Sequence, residues 1–331
     1  MRLLHLEANG FFSLTEFFHD IPPYAILSHT WGDDHEEVSY RDIIKRTGTT
    51  KIGHGKLQFC ARQAALSNLR YIWVDTACID KGSSAELSEA INSMYRWYQR
   101  ASVCYVYLSD ITSNGVKSDP RVFQTSRWFT RGWTLQELIA PNTVQFFTAE
   151  ERYIGDRVAL LQSIVEVTGI PKAVLEGRRD AMNRYTPDVR LSWAQGRQTK
   201  REEDAAYCLM GLFDVNMPLL YGEGRERAFR RFRKEVRQLD LDTVQMREEE
   251  CVRHIRCHWL YQSLVNSFPH PIATPDMHDE LSNFVVKTIP IMDLLTRLFL
   301  NMHIHEMFAL TMAYFQAIVY FVGNSMRLEH V

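Results

Sequence analysis

The chain has 331 residues, 46% of them apolar, which is enough for one large domain or two modest ones with a substantial core. Its 38 basic and 40 acidic residues nearly cancel, and this balance argues against a general nucleic-acid-binding protein. The six cysteines are scattered along the chain, so we expect reduced thiols of an intracellular protein. Because the N-terminal residues show no signal-peptide pattern, we expect a cytoplasmic location.

Four short apolar runs predict β-strands that are covered on both faces, because each is nearly continuous in β-branched, aromatic or other apolar residues. They span 24–27, 71–74, 101–108 and 143–148. A helix over 56–69 is predicted to cross over before the second strand, and a helix opened by a capping box of Ser83 and Glu86 leads to the third. Strand–helix–strand units of this kind build parallel sheets. The sequence therefore predicts an α/β fold with a mostly parallel sheet flanked by helices.

Polar and aromatic side chains follow these strands at the carboxyl end of the predicted sheet, where parallel α/β sheets bind ligands. They are Ser28, His29, Trp31 and Gly32 after the first strand, Asp75 and Asp80 after the second, Asp110 after the third, and Arg131, Trp133 and Glu137 slightly downstream. Glu137 is the single carboxylate of the segment 126–141. We expect these groups to share one rim of the sheet.

The remainder of the chain is predicted to be mainly helical, with helices over 158–167, 204–213 and 225–238. The last of these is rich in arginine, but its apolar stripe favours a solvated amphipathic helix over a nucleic-acid contact. The predicted organisation is an α/β core at 1–150, a helical extension at 151–238 and a divergent tail at 239–331.

Two features of the tail leave alternatives open. Cys251, His254, Cys257 and His258 have a spacing that would suit zinc, but no second group of ligands accompanies them and no metal site is predicted. The uncharged segment 307–326 has the length of a membrane-spanning helix. Its polar residues favour a buried or partner-binding helix, with a membrane segment as the alternative.

Three blocks of the chain resemble the signature of the fungal heterokaryon incompatibility (HET) domain. In chain order they are PYAILSHTWG at 23–32, YIWVDTACIDK at 71–81 and RGWTLQEL at 131–138. The resemblance continues through later segments and covers about residues 1–237. One departure is Ala77, where related proteins usually carry a second cysteine before Cys78.

A more distant resemblance is to TIR domains, which have a flavodoxin-like sheet. They also carry a Ser-aromatic-Gly loop after the first strand and a Trp-x-x-x-Glu-Leu segment after the third, to which 28–32 and 133–138 are similar. In enzymatic TIR proteins the glutamate supports cleavage of the nicotinamide–ribose bond of NAD. The resemblance therefore implies that Glu137 is catalytic and that NAD is a substrate, with no resident cofactor. The dinucleotide would contact Ser28, His29, Trp31, Gly32, Asp75, Asp80, Arg131 and Trp133.

The chemistry suits a carboxylate, because cleavage of this bond passes through an oxocarbenium-like state that a nearby negative charge stabilises. Arg131 would pair with the diphosphate, and Trp31 and Trp133 would stack on nicotinamide or adenine. Each residue also has a structural alternative. These are an ion pair of Glu137 with Arg131 or Arg127, core packing for the two tryptophans, loop ordering for His29, and capping of backbone amides by Asp75 and Asp80.

The family resemblance implies an incompatibility effector that triggers cell death in non-self recognition. One version is an enzyme that cleaves NAD after oligomerisation, and another is a non-catalytic module that self-associates and recruits a separate executioner. A degenerate, truncated copy is the third. The partners implied are further copies of the chain and an NLR-type or other incompatibility protein, with no nucleic acid.

Overall fold

Seven strands form one mixed sheet within residues 1–177 and 181–239, the parts of the chain that the structure, a computed structural model, describes. They are β1 (Arg2–Leu6), β2 (Phe12–Glu16), β3 (Tyr24–His29), β4 (Tyr71–Trp73), β5 (Val103–Tyr107), β6 (Val144–Phe147) and β7 (Tyr153–Asp156). Their spatial order is β2-β1-β4-β3-β5-β6-β7. The four central strands are parallel to one another, and β1, β2 and β7 pair antiparallel at the two edges.

The predicted α/β class is confirmed, and the four strands expected from continuous apolar runs are the four parallel ones. Counted in chain order among themselves, these strands lie in the order 2-1-3-4, which is the start of the flavodoxin-like arrangement. All six residues of β3 are buried, as its place between two parallel neighbours requires. The three antiparallel strands were not predicted, because each is short and mixes buried with partly exposed positions.

Helices cover the sheet and connect its strands. They are α1 (Tyr40–Lys45), α2 (Ile52–Leu66), α3 (Asp75–Cys78), α4 (Ser84–Arg100), α5 (Ser113–Ser118), α6 (Thr134–Ile139), α7 (Leu161–Thr168), α8 (Lys172–Leu175), α9 (Pro187–Ser192) and α10 (Asp204–Tyr207), and residues 225–239 are also helical. The longest is α4, which leads from β4 to β5 and buries Ala90, Ile91, Met94 and Tyr98 on one face. The helical spacing of Leu87, Ile91, Met94 and Tyr98 predicts this face, and of these four only Leu87 is half-buried.

The predicted capping box of α4 is only half formed. The Ser83 hydroxyl accepts a hydrogen bond from the backbone N–H of Glu86 at 3.3 Å. The Glu86 carboxylate does not return to Ser83, because it accepts from the backbone N–H of Asp80 at 2.8 Å and from Arg2 at 2.5 Å. A second correction concerns 204–213, which is α10 followed by the separate 3-10 turn Met210–Leu212 and not one helix.

The helical segment 225–239 packs through its predicted apolar stripe, since Ala228, Phe232 and Val236 are buried. The Phe232 ring meets the Phe213 ring edge-on, with 5.2 Å between centroids. In the part of the chain described, no helix combines the length and apolar character needed to cross a bilayer. The cysteine and histidine spacing at 251–258 and the uncharged segment 307–326 lie outside the described residues. The domain boundary at residue 150 stays a prediction.

Candidate functional site

A cavity of about 570 Å³ opens outside the carboxyl ends of β3 and β4. This volume falls in the range of about 300–1,000 Å³ that is typical of small-molecule sites. Leu87, Ile91 and Met94 of α4 supply an apolar side. Polar and aromatic side chains from the loops after β3 and β4, from α6 and from residues 200–221 complete the lining. The cavity is therefore apolar on one side and rich in charged groups on the other.

Glu137 lies on α6 at the wall of this cavity and is only 7% exposed. The Ser28 hydroxyl donates a hydrogen bond to its Oε2, and the Trp128 indole N–H donates to the Ser28 oxygen at 2.8 Å. Burial raises the pKa of Glu137 to about 8; the hydrogen bond from Ser28 opposes this shift, and the nearby charge of Asp75 adds to it. The carboxyl group is therefore mostly neutral at pH 7.

The structural alternative for Glu137, an ion pair with Arg131 or Arg127, is not formed among the described residues. Arg127 lies 3.7 Å from Asp110 instead. Asp110 also accepts from the Ser126 hydroxyl at 2.8 Å, so it orders the junction of two 3-10 turns, Pro120–Thr125 and Arg127–Thr130, and does not line the cavity.

Six of the nine predicted site residues line the cavity, whereas Ser28, Gly32 and Asp80 do not. The six are His29, Trp31, Asp75, Arg131, Trp133 and Glu137. Ser28 was expected in the loop after the first strand, but β3 extends to His29, so Ser28 lies inside the sheet and is fully buried behind Glu137. Asp80 orders its own loop by accepting from the backbone N–H of Gly82 at 2.9 Å. The functional role of each residue stays a prediction.

Trp31 is held at the cavity by contacts on its edge and on its face. Its indole N–H donates to Asp75 Oδ2 at 2.9 Å, and Lys81 Nζ lies 3.6 Å from the ring centroid. The other carboxylate oxygen of Asp75 is buried and has no hydrogen-bond partner among the described residues. The site thus contains an acceptor that is free to receive a hydrogen bond from a ligand.

A buried ion pair, which the sequence analysis missed, fixes the loop that carries Trp31. Glu37 Oε1 accepts from Lys56 Nζ at 2.5 Å and from the backbone N–H of Gly32 at 2.8 Å. Lys56 also donates to the Thr30 carbonyl at 3.1 Å, and His29 Nε2 lies 3.6 Å from Glu37 Oε2. Burial works against ionisation of Glu37, but the nearby His29 and the charge and hydrogen bond of Lys56 hold its pKa well below the usual value.

The turn before α6 depends on a glycine. A Cβ on Gly132 would lie 2.5 Å from Thr199 Cγ2, and the Gly132 N–H donates to the Gln198 carbonyl at 2.8 Å. Arg197 donates to the Arg131 carbonyl at 2.9 Å. These contacts hold the turn against residues 197–199. The next residues, Lys200, Arg201 and Asp204, thereby reach the cavity, a connection that nothing in their sequence spacing predicts.

Arg157 secures the other end of α6. It is 4% exposed, and its guanidinium donates to the Leu138 carbonyl at 2.7 Å and to the Asn142 carbonyl at 3.0 Å. Both carbonyls lie at or just beyond the C-terminal end of the helix that carries Glu137, where backbone acceptors have no partner within the helix.

We expect Arg157→Lys to lower the free energy of unfolding by about 1–3 kcal/mol, because a single ammonium cannot reach both carbonyls as the planar fork does. Urea unfolding measures this difference. Arg152→Lys is the matched control, since Arg152 is exposed on the neighbouring turn. Equal stability of the two variants would show that the guanidinium contacts contribute nothing.

Comparison with known proteins gives two matches. Residues 24–125 match the family model described as heterokaryon incompatibility protein (HET). A curated relative, the vegetative incompatibility protein HET-E-1 of Podospora anserina, is 52% identical over 221 residues, which cover 65% of this chain and 16% of that protein. The chain thus spans a small part of the relative's length. No solved structure matches the chain.

Proposed function

This chain carries a fungal heterokaryon incompatibility (HET) domain, and from that premise we propose that it is an incompatibility effector that cleaves NAD at the nicotinamide–ribose bond. The name of the relative from Podospora anserina supports the role in incompatibility. The flavodoxin-like order of the parallel strands is compatible with the distant TIR resemblance, and the site supplies the argument for chemistry.

The observation that carries the proposal is a buried carboxyl group, Glu137, at the wall of a cavity of ligand size. The nicotinamide ring of NAD is cationic, so its arrival next to Glu137 would favour the ionised carboxylate and lower the pKa from about 8. The negative charge would then be present mainly when substrate is bound. Ser28 would hold this carboxylate in one orientation through its hydrogen bond to Oε2.

In the proposed reaction the C–N bond to nicotinamide breaks and its electron pair leaves with neutral nicotinamide. Positive charge develops on the ribose carbon, and the carboxylate of Glu137, which is nearly buried at the cavity wall, stabilises it. Water then adds to the ribose carbon and loses a proton, which gives ADP-ribose. Trp31 and Trp133 would contribute flat surfaces for the aromatic ring.

We expect the full chain, fused to an inducible oligomerising tag, to deplete NAD in cells when the inducer is added. Glu137→Gln at matched expression should leave NAD unchanged, because the amide keeps the shape of the side chain but cannot carry a negative charge. Glu166→Gln is the control, since this glutamate is exposed on α7 and bonds to Gln124 and Gln162 outside the cavity.

The measurement is cellular NAD together with viability. Cell death with intact NAD would reject the enzyme and support the non-catalytic module that recruits an executioner. Equal depletion by the unchanged protein and by Glu137→Gln would remove Glu137 from the chemistry.

A further inference from the structure

Three cations at the cavity have no carboxylate within ion-pair distance among the described residues. They are Lys81 in the loop after α3, Arg131 before α6, and Arg201 before α10. Three separate segments of the chain therefore bring positive charge to one cavity. Because no carboxylate in the described part of the chain pairs with them directly, their N–H donors remain available to a bound anion, whose charge they would attract.

Each acidic side chain of the lining bonds to a partner other than these three cations, and their charges act on the cations only from beyond ion-pair distance. The pairs are Asp34 with Lys200, Glu37 with Lys56, Asp75 with Trp31, Glu137 with Ser28, and Asp204 with Tyr221. Burial also raises the pKa of Asp204, against the hydrogen bonds that it receives from Tyr221 and Trp133.

Two of the three cations are fixed by aromatic rings. Lys81 Nζ lies 3.6 Å from the centre of the Trp31 ring, and the Arg201 guanidinium lies 4.1 Å from the centre of the Tyr221 ring. A cation on an aromatic face is oriented without giving up its N–H donors, since the ring interacts through its π-system. An ammonium keeps three donors and a guanidinium five, and those donors suit the oxygens of phosphate groups.

We propose that Lys81, Arg131 and Arg201 form a rim that binds the diphosphate of a nucleoside diphosphate ester such as ADP-ribose. The choice of this class rests on the proposed function, but binding at the rim does not require Glu137 to cleave anything. The cavity extends beyond the rim to the apolar side formed by α4, where Ile91 and Met94 offer a surface for a base or a nicotinamide ring. A bare phosphate would leave that surface uncovered.

The test is calorimetric titration of the full chain with ADP-ribose, adenosine and inorganic pyrophosphate. We expect ADP-ribose to bind at least tenfold more tightly than either of the other two, because only it engages both the rim and the apolar side. Lys81→Gln and Arg201→Gln should each weaken ADP-ribose binding by about tenfold or more, as the loss of one charge-assisted hydrogen bond requires.

The matched control is Arg70→Gln. Arg70 is exposed, and its guanidinium lies 5.5 Å from the centre of the Tyr71 ring, so it reproduces the arginine–tyrosine contact away from the cavity. This variant should bind ADP-ribose as the unchanged protein does. Thermal unfolding of each variant separates lost binding from lost structure, and raising the salt concentration should weaken ADP-ribose binding to the unchanged protein itself.

Several outcomes would contradict the proposal that the rim binds ADP-ribose. These are no binding of ADP-ribose, equal binding of adenosine, rim variants that bind like Arg70→Gln, or an affinity that does not respond to salt. Equal binding of pyrophosphate would overturn the nucleoside diphosphate class. Rim-dependent binding of ADP-ribose without NAD loss in cells would sustain this inference and reject the proposed function, so the two failures are distinguishable.

Discussion

Glu137→Gln is expected to be more stable than the unchanged protein at pH 9, with a much smaller difference at pH 5. The pKa of Glu137 is raised from 4.5 to about 8 by burial, so folding binds a proton in the window between those values. The free energy of unfolding therefore falls as the pH rises from 4.5 to 8, because Glu137 ionises freely in the unfolded chain but burial opposes its ionisation in the folded protein. The amide variant has no such titration.

The expected change in the free energy of unfolding is large for one side chain. A shift of this size corresponds to roughly 4 kcal/mol of additional stabilisation of Glu137→Gln relative to the unchanged protein between pH 5 and pH 9. Chemical denaturation at a series of pH values measures it. Glu166→Gln, at an exposed carboxylate, should show no comparable dependence. A pH-independent difference between the Glu137 variant and the unchanged protein would mean that this carboxyl group titrates normally in the fold.

Glu37→Gln is expected to lower the free energy of unfolding by about 3–5 kcal/mol at pH 7, since it leaves the Lys56 ammonium buried without a negative partner. Both side chains are nearly inaccessible, at 6% and 7% exposed. The pKa of Glu37 lies below its usual 4.5, so the stabilisation is present above that pH and is lost on acidification. The difference between the two proteins should narrow below pH 4.5.

Two further variants make this result specific. Glu37→Gln combined with Lys56→Met should recover much of the lost stability, because the unpaired charge is then removed as well. Glu151→Gln breaks an exposed ion pair in which the Arg62 guanidinium lies 2.6 Å from the Glu151 carboxylate. This variant should lower the free energy of unfolding by less than about 1 kcal/mol. If Glu37→Gln costs no more than Glu151→Gln, the buried pair does not stabilise the fold.

The centre of the sheet was predictable, and its edges were not, for a physical reason. A strand between two parallel neighbours is buried on both faces, and a continuous apolar run such as 24–27 reveals it directly. An edge strand needs only a few apolar contacts. The strand β7 (YIGD), with one fully buried residue, shows no pattern that separates it from a loop.

The site was predictable only where a motif follows a strand. Trp31, Asp75 and Glu137 were found because parallel strands bring their carboxyl ends together. Lys81 lay within a recognised block but has no pattern that marks it as a ligand contact. Glu37 and Lys56 are 19 positions apart, and their pairing exists only in three dimensions. The one local signal was Lys56 itself, a charge on the buried face of α2.

β3 cannot form its hydrogen bonds to neighbouring strands until later parts of the chain have been synthesised. The β1–β2 hairpin is local, but both hydrogen-bonding neighbours of β3 come later in the chain, at 71–73 and 103–107. During synthesis an apolar segment therefore leaves the ribosome long before its partners exist, and both of its edges stay open until then. The strand whose six residues are all buried in the fold therefore lacks its second neighbour in the nascent chain until 103–107 have been synthesised.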